Sequence, residues 1–186
     1  MKRLSIALGC VAALAATSAS SAFALNGYTP ISSQFAATST NAQLVSAAGT
    51  WTCRNVSVSA KTAASVSTTA AITNEGFNHC EREGEPLIWT TDSGWSLKET
   101  GLGTTELTVG GATITLNTLG CTVTIKEGQK IAVAWENGIG ELDPSTLTLN
   151  GAKLAEGGTC GYTEQRLTAT FVVTDLTHPS EPIKQT

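Results

Sequence analysis

The chain is poor in the residues that carry most enzyme chemistry. It has two histidines, His79 and His178, and its single methionine is the first residue. A Ser-His-Asp arrangement needs a base held by a third group and a serine on a strained turn, and no G-x-S-x-G is present. The wide cysteine spacings, with no C-x-x-C, disfavour zinc and a redox dithiol. Calcium-loop spacing is also missing: Glu81, Glu83 and Glu85 alternate around Arg82, and Glu136, Glu141 and Asp143 are spread through a glycine-containing loop, so both read as solvated connections. A hydrolase would have to rest on two carboxylates at glycosidase separation. The chain therefore reads as non-catalytic, with no cofactor and no metal site.

Positive charge is scarce as well. The chain holds 11 Lys+Arg against 15 Asp+Glu, and two of the basic residues, Lys2 and Arg3, open the sequence. Ahead of a run from Leu4 to Ala16 and the small-x-small step Ala22-Phe23-Ala24, they read as the n-region of a signal peptide spanning residues 1–24. Without them the balance is about −6. Such a charge argues against nucleic acid and against anionic membranes. No later run is apolar and long enough to span a bilayer, so no transmembrane segment is expected. Residues 25–32 read as a loose lead-in, 33–176 as one domain and 177–186 as a flexible tail, placed outside the cell or at its surface, with a periplasm as the other compartment.

What the sequence has in quantity is period-two alternation. Between Glu106 and Asn137, Leu107, Val109, Ala112, Ile114 and Leu116 share a face if Gly110-Gly111 is a two-residue turn. A second hairpin around Glu127-Gly128-Gln129 would set Ile125 opposite Ile131, Val123 opposite Val133 and Cys121 opposite Trp135. Asp92-Ser93-Gly94 reads as a turn between Trp89 and Trp95. Asn150-Gly151 is the strongest short hairpin signal, pairing Leu149 with Ala152 and Leu147 with Leu154. Leu167, Ala169, Phe171 and Val173 face inward from a last strand. About ten short antiparallel strands, with turns roughly every 8–12 residues and no helical period outside the signal peptide, predict an immunoglobulin-like β-sandwich.

After cleavage at residue 24 four cysteines remain, Cys53, Cys80, Cys121 and Cys160, an even set that reads as two disulfides. Three connectivities are possible. Sequence neighbours tend to be spatial neighbours, which favours Cys53–Cys80 with Cys121–Cys160. Aromatics make up only 5% of the chain, and four of them are tryptophans. Trp135 reads as core against a disulfide. Trp89 and Trp95, flanking a turn, are the better candidates for an exposed face that binds an apolar or carbohydrate ligand.

Several of these pieces together resemble a family of small exported proteins, the protein activator of alkane oxidation type. They are Thr52-Cys53, the step from Phe77 to Cys80, the pair Trp89 and Trp95, the run Cys121 to Ile125, Trp135 with Asn137, and the glycine-flanked Cys160, covering residues 34 to 176. The polar stretch Glu81 to Glu85 and the acidic loop 136–143 have no counterpart in that pattern. The resemblance implies an accessory extracellular protein associated with growth on hydrocarbons, surface-active or self-assembling, and it transfers no catalytic residue. Its strands would join through open edges, with Ser33–Val45 and the last strand as the joining surfaces. The leading expectation is thus a matrix, fibre or surface-active subunit, and the second is a monomeric binding module built on Trp89 and Trp95.

Overall fold

The computed structural model describes residues 27–186 apart from 48, 93, 155, 162 and 163. The expected signal peptide, with the first two residues of the lead-in, lies outside the described residues. In chain order the strands are β1 (Tyr28–Thr29), β2 (Gln34–Ser39), β3 (Ala42–Ser46), β4 (Gly49–Thr62), β5 (Thr69–Arg82), β6 (Glu85–Thr91), β7 (Ser96–Gly101) and β8 (Thr104–Thr108). They continue with β9 (Ala112–Leu116), β10 (Cys121–Ile125), β11 (Lys130–Glu136), β12 (Ser145–Leu154), β13 (Glu156–Gly158), β14 (Gln165–Asp175) and β15 (Lys184–Gln185). One short 3-10 turn, Asn117–Leu119, joins β9 to β10.

These strands do not form two stacked sheets. Pairing runs β5-β7-β8-β11-β12-β14-β2-β4, and β4 returns to β5, so eight strands close into a barrel with every neighbour antiparallel. The expected immunoglobulin-like sandwich is corrected to this barrel. Alternation could not decide between them, because both bury one face of each strand. What decides is β4, fourteen residues long, which pairs with β5 on one side and with β2 and β3 on the other. β3 continues the line of β2, since both lie between β4 and β14. The expected joining edges are therefore paired on both flanks, and so is the last long strand, between β12 and β2–β3.

The hairpin expectations also change. β8 pairs with β11 and β9 with β10, so residues 104–116 and 121–136 form one long hairpin turning at Asn117–Gly120. Leu107 opposes Ile131, Ile114 opposes Val123 and Leu116 opposes Cys121. Gly110-Gly111 and Glu127–Gln129 do not close hairpins. They face each other across an irregular step where Val109 N–H donates to the Gln129 carbonyl and Gly128 N–H to the Val109 carbonyl. Asn150-Gly151 is likewise a bulge inside β12, where the register against β14 shifts between Leu149 and Ala152 and Gly151 takes φ of +61°. Glycine at positive φ serves a bulge as well as a turn, and the partner strand selects which.

The outer half of that long hairpin leaves the barrel. β9 and β10, with β6 on one flank and β13 on the other, make an extension of the sheet joined to the end of β5 through β6. The disulfides are Cys53–Cys80, linking β4 to β5, and Cys121–Cys160, linking β10 to the chain beyond β13. This is the favoured pairing. Trp135, however, packs edge-on against Tyr28, ring centroids 5.4 Å apart, and not against a disulfide.

The tail is pinned rather than free. β1 and β15 pair as a small ribbon across the barrel end formed by the 62–69, 101–104 and 137–144 connections, where Tyr28, Ile183 and Gln185 are buried. Asn137 ties the ribbon down: its Oδ1 accepts from the Trp135 indole at 2.9 Å and the Gln185 backbone at 2.8 Å, while its Nδ2 donates to the Gln185 carbonyl. Ile183 is wholly enclosed. Ile183→Ala should lower unfolding free energy by about 2–5 kcal/mol, the range for truncating a buried aliphatic side chain. Denaturant titration checks this, and a loss under about 0.5 kcal/mol would show that the ribbon is not part of the cooperative unit.

Candidate functional site

The eight inner faces meet in an apolar core that is not completely filled. A cavity of about 50 Å³ remains, lined by Phe35, Ala37, Leu97, Leu107, Leu147, Leu149, Leu167 and Phe171 among others. Its surface is wholly apolar. An eight-stranded barrel is about wide enough to be filled by its own side chains or to hold one small ligand, and here the small residue Ala37 leaves part of the space open.

The cavity has a door. β5 is fourteen residues long, but β7 pairs only with Thr69–Ala71 and β6 only with Cys80–Arg82. One further bond, from Ile72 N–H to the Trp95 carbonyl, ends the lower ladder. Between Thr73 and His79 that flank of β5 has no ladder partner, because β6 has swung away to pair with β9. The expected hairpin joining Trp89 to Trp95 is accordingly absent: β6 and β7 lie end to end along β5. Most lining residues are buried, and the four half-buried ones, Val58, Ile72, Glu75 and Phe77, all lie on β4 and β5 beside this gap. That is where the cavity meets solvent.

Trp95 is not on the surface. It is 7% exposed, lines the cavity and donates its indole N–H to the Gly111 carbonyl at 3.3 Å. Trp89 is half-buried across the gap, its ring stacked on Phe77 with centroids 3.9 Å apart and planes 12° from parallel. Its indole N–H is buried and lacks a hydrogen-bond partner. The two tryptophans expected as an exposed pair thus become one wall residue and one residue at the door. Glu75 was not singled out from the sequence. The signal that could have found it is its place opposite Val58, an inward position that otherwise takes apolar residues.

Polar side chains also gather away from the cavity. Ser33, Asp175 and His178 converge, but Ser33 Oγ and Asp175 Oδ2 both approach the same ring nitrogen, Nδ1 of His178, at 3.1 and 3.7 Å. A relay needs the serine on one nitrogen and the carboxylate on the other, so this cluster fastens the tail and does not activate a nucleophile. No group of three His, Cys, Asp or Glu side chains suited to a metal occurs among the described residues. Arg54 pairs with Glu81 at 2.6 Å within the expected acidic stretch.

Glu99 is the other buried carboxylate, 1% exposed, beneath the β1–β15 ribbon. Burial raises its pKa above the ordinary value of 4.5, partly offset by a hydrogen bond from the Gly27 backbone, and its Oε2 has no partner. A raised acid pKa means the folded state holds the proton longer than the unfolded state. Its contribution to stability is fully present below about pH 4.5 and is lost as pH rises through the raised value. Glu99→Gln should therefore raise Tm at neutral pH and flatten the fall in stability above pH 4.5. Thermal scans across pH check this, and a variant less stable at pH 7 than the parent would contradict it.

Outside the barrel, the ribbon-covered end carries apolar loop tips: Ile31, Val66, Leu102, Ile139, Leu142 and Leu176 are exposed, Ile139 at 82%. One further hollow is an open trough between polar side chains, bounded by Thr50, Arg54, Glu81 and Glu83. No helix among the described residues is long and apolar enough to cross a membrane. Compared with family models, curated proteins and solved structures, the chain matches none.

Proposed function

We propose that this protein is a non-catalytic, exported binding module that takes the apolar part of a small ligand into the barrel. The observation that carries this reading is the wholly apolar cavity reached through the gap beside β5. Burying an aliphatic chain there is favourable by about 0.8 kcal/mol per methylene, with few polar groups to desolvate. A sugar would lose its water there and find no polar atom on the wall to replace it. Two disulfides suit an oxidising compartment. The test is a fluorescence titration of the protein with 1-decanol, read through Trp95, which lines the cavity. Saturable binding with one equivalent of ligand supports the reading, and an unaltered tryptophan spectrum up to the solubility limit removes it.

A second reading, a surface-associated or self-assembling protein, draws on the exposed apolar tips at the ribbon end. It does not draw on edge pairing, since Ser33–Val45 and the last long strand are flanked on both sides. Light scattering across a concentration series tests it. Large assemblies growing with concentration would support this reading, and a constant monomer mass would support the binding module.

A further inference from the structure

We propose that the ribbon-covered end of the barrel docks on an uncharged lipid surface, with its loop tips inserted among the acyl chains and the barrel axis upright. This rests on the second, surface-associated reading above and names the surface. It is independent of the cavity.

Position comes first. Ten large aliphatic side chains are exposed among the described residues, and six of them, Ile31, Val66, Leu102, Ile139, Leu142 and Leu176, lie at this one end. The topology sets them round the whole rim. Val66 lies between β4 and β5, Leu102 between β7 and β8, and Ile139 and Leu142 between β11 and β12. Ile31 and Leu176 lie beside the adjoining ends of β2 and β14. A ring of tips at the end of a barrel meets a surface lying across the barrel axis. The wall behind the tips is polar outside, as in β14, whose outward positions are Arg166, Thr168, Thr170, Val172 and Thr174. A lipid-embedded barrel carries an apolar outer band there, so contact is confined to the tips.

Charge decides the kind of surface. Connections 29–33, 62–69 and 101–104 hold no charged residue. The 137–144 and 176–183 connections add the exposed carboxylates Glu141, Asp143 and Glu181, and His178 is engaged with Asp175. Against these stand Lys184 in the ribbon and, farther back, Lys61 on β4 and Lys98 on β7. Anionic headgroups attract an excess of lysine and arginine, and this end has none. The chain as a whole is negative, with 11 Lys+Arg against 15 Asp+Glu. A zwitterionic bilayer sets no such charge barrier.

Shape separates lipid from a second copy of the chain. Leu142 is 101% exposed, so no neighbour packs against it. A stable protein interface needs close complementarity over about 1,200 Å² or more. Separate protrusions round a rim leave voids between two copies, whereas fluid acyl chains close around each one. Burial in lipid is then worth roughly fourfold in affinity per methylene.

The experiment is flotation with phosphatidylcholine vesicles, using the parent, Leu142→Ser, the triple variant Leu102→Ser/Ile139→Ser/Leu142→Ser, and Val172→Ser as a control on the wall. The parent should float with the vesicles. Leu142→Ser should weaken binding by about tenfold and the triple variant by roughly a hundredfold or more, while Val172→Ser stays within about twofold. Every variant should keep Tm within a few degrees of the parent, because these side chains are exposed. Adding phosphatidylglycerol to the vesicles should not strengthen binding. A parent that stays unbound at millimolar lipid, or a triple variant that floats as well as the parent, would overturn lipid docking. Tighter binding to the phosphatidylglycerol vesicles would overturn the uncharged surface. A parent that does not float but assembles with concentration, as the triple variant does not, would overturn lipid docking and leave the surface-associated reading standing. Neither flotation nor assembly would remove that reading as well.

Discussion

Reducing both disulfides should unfold the protein at moderate temperature. The loops closed by Cys53–Cys80 and Cys121–Cys160 span 27 and 39 residues. In the chain-entropy account such cross-links are each worth about 3–4 kcal/mol, acting mainly by restricting the unfolded chain. Domains of this kind are stable by about 5–15 kcal/mol in total, so the two together approach the whole margin. Their positions also matter. Cys53–Cys80 lies where β6 resumes pairing with β5, at the upper limit of the gap, and Cys121–Cys160 holds the β9–β10 extension to the chain beyond β13. Replacing either pair by alanine should lower Tm by about 10 °C, given that 1 kcal/mol shifts Tm by roughly 2–4 °C at this size. Circular dichroism melts of the two double variants, and of the parent with reductant, check this. A parent whose Tm moves by less than about 2 °C on full reduction would show that the barrel holds without either bridge.

Replacing Ala37 by leucine should abolish ligand uptake while the barrel stays folded. Ala37 sits on β2 opposite Val58 and Val173, is buried and faces the cavity. Leucine adds three carbon atoms in a place where space already exists. Overpacking a filled core costs about 1–3 kcal/mol, and the void should reduce that figure here. The expected outcome is a Tm within a few degrees of the parent and decanol binding weakened by more than an order of magnitude. Unchanged binding with unchanged stability would locate the ligand elsewhere on the molecule.

Much of the local pattern was legible in the sequence, and the pairing was not. The inward set Leu167, Ala169, Phe171 and Val173 is buried as the alternation requires, because period two fixes which side chains share a face whatever the neighbouring strand. Partner choice depends on contacts far along the chain. Gly94, Gly111 and Gly151 all take positive φ, yet none closes a hairpin: two lie on connections between parts of the sheet and one makes a bulge. Among the turns that do close hairpins are the Glu83-Gly84 step, the Leu102-Gly103 step and Asn117–Gly120. Closure follows from the length of β4, which no single turn signal encodes. The candidate site was half visible. Trp95 lines the cavity and Trp89 stacks on Phe77, one of its lining residues, but their setting depends on β6 leaving β5 for β9. Glu75 stood out only once its partner Val58 placed it on the inner face.

Binding should place the end of an aliphatic chain inside the barrel. The most direct test is a set of intermolecular nuclear Overhauser effects between the terminal methyl group of bound 1-decanol and the isotope-labelled protein. The account predicts cross-peaks to Leu149, Leu167 and Phe171, which line the cavity. Cross-peaks confined to the exposed tips Ile139, Leu142 and Leu102 would contradict it and place the ligand on the outer surface.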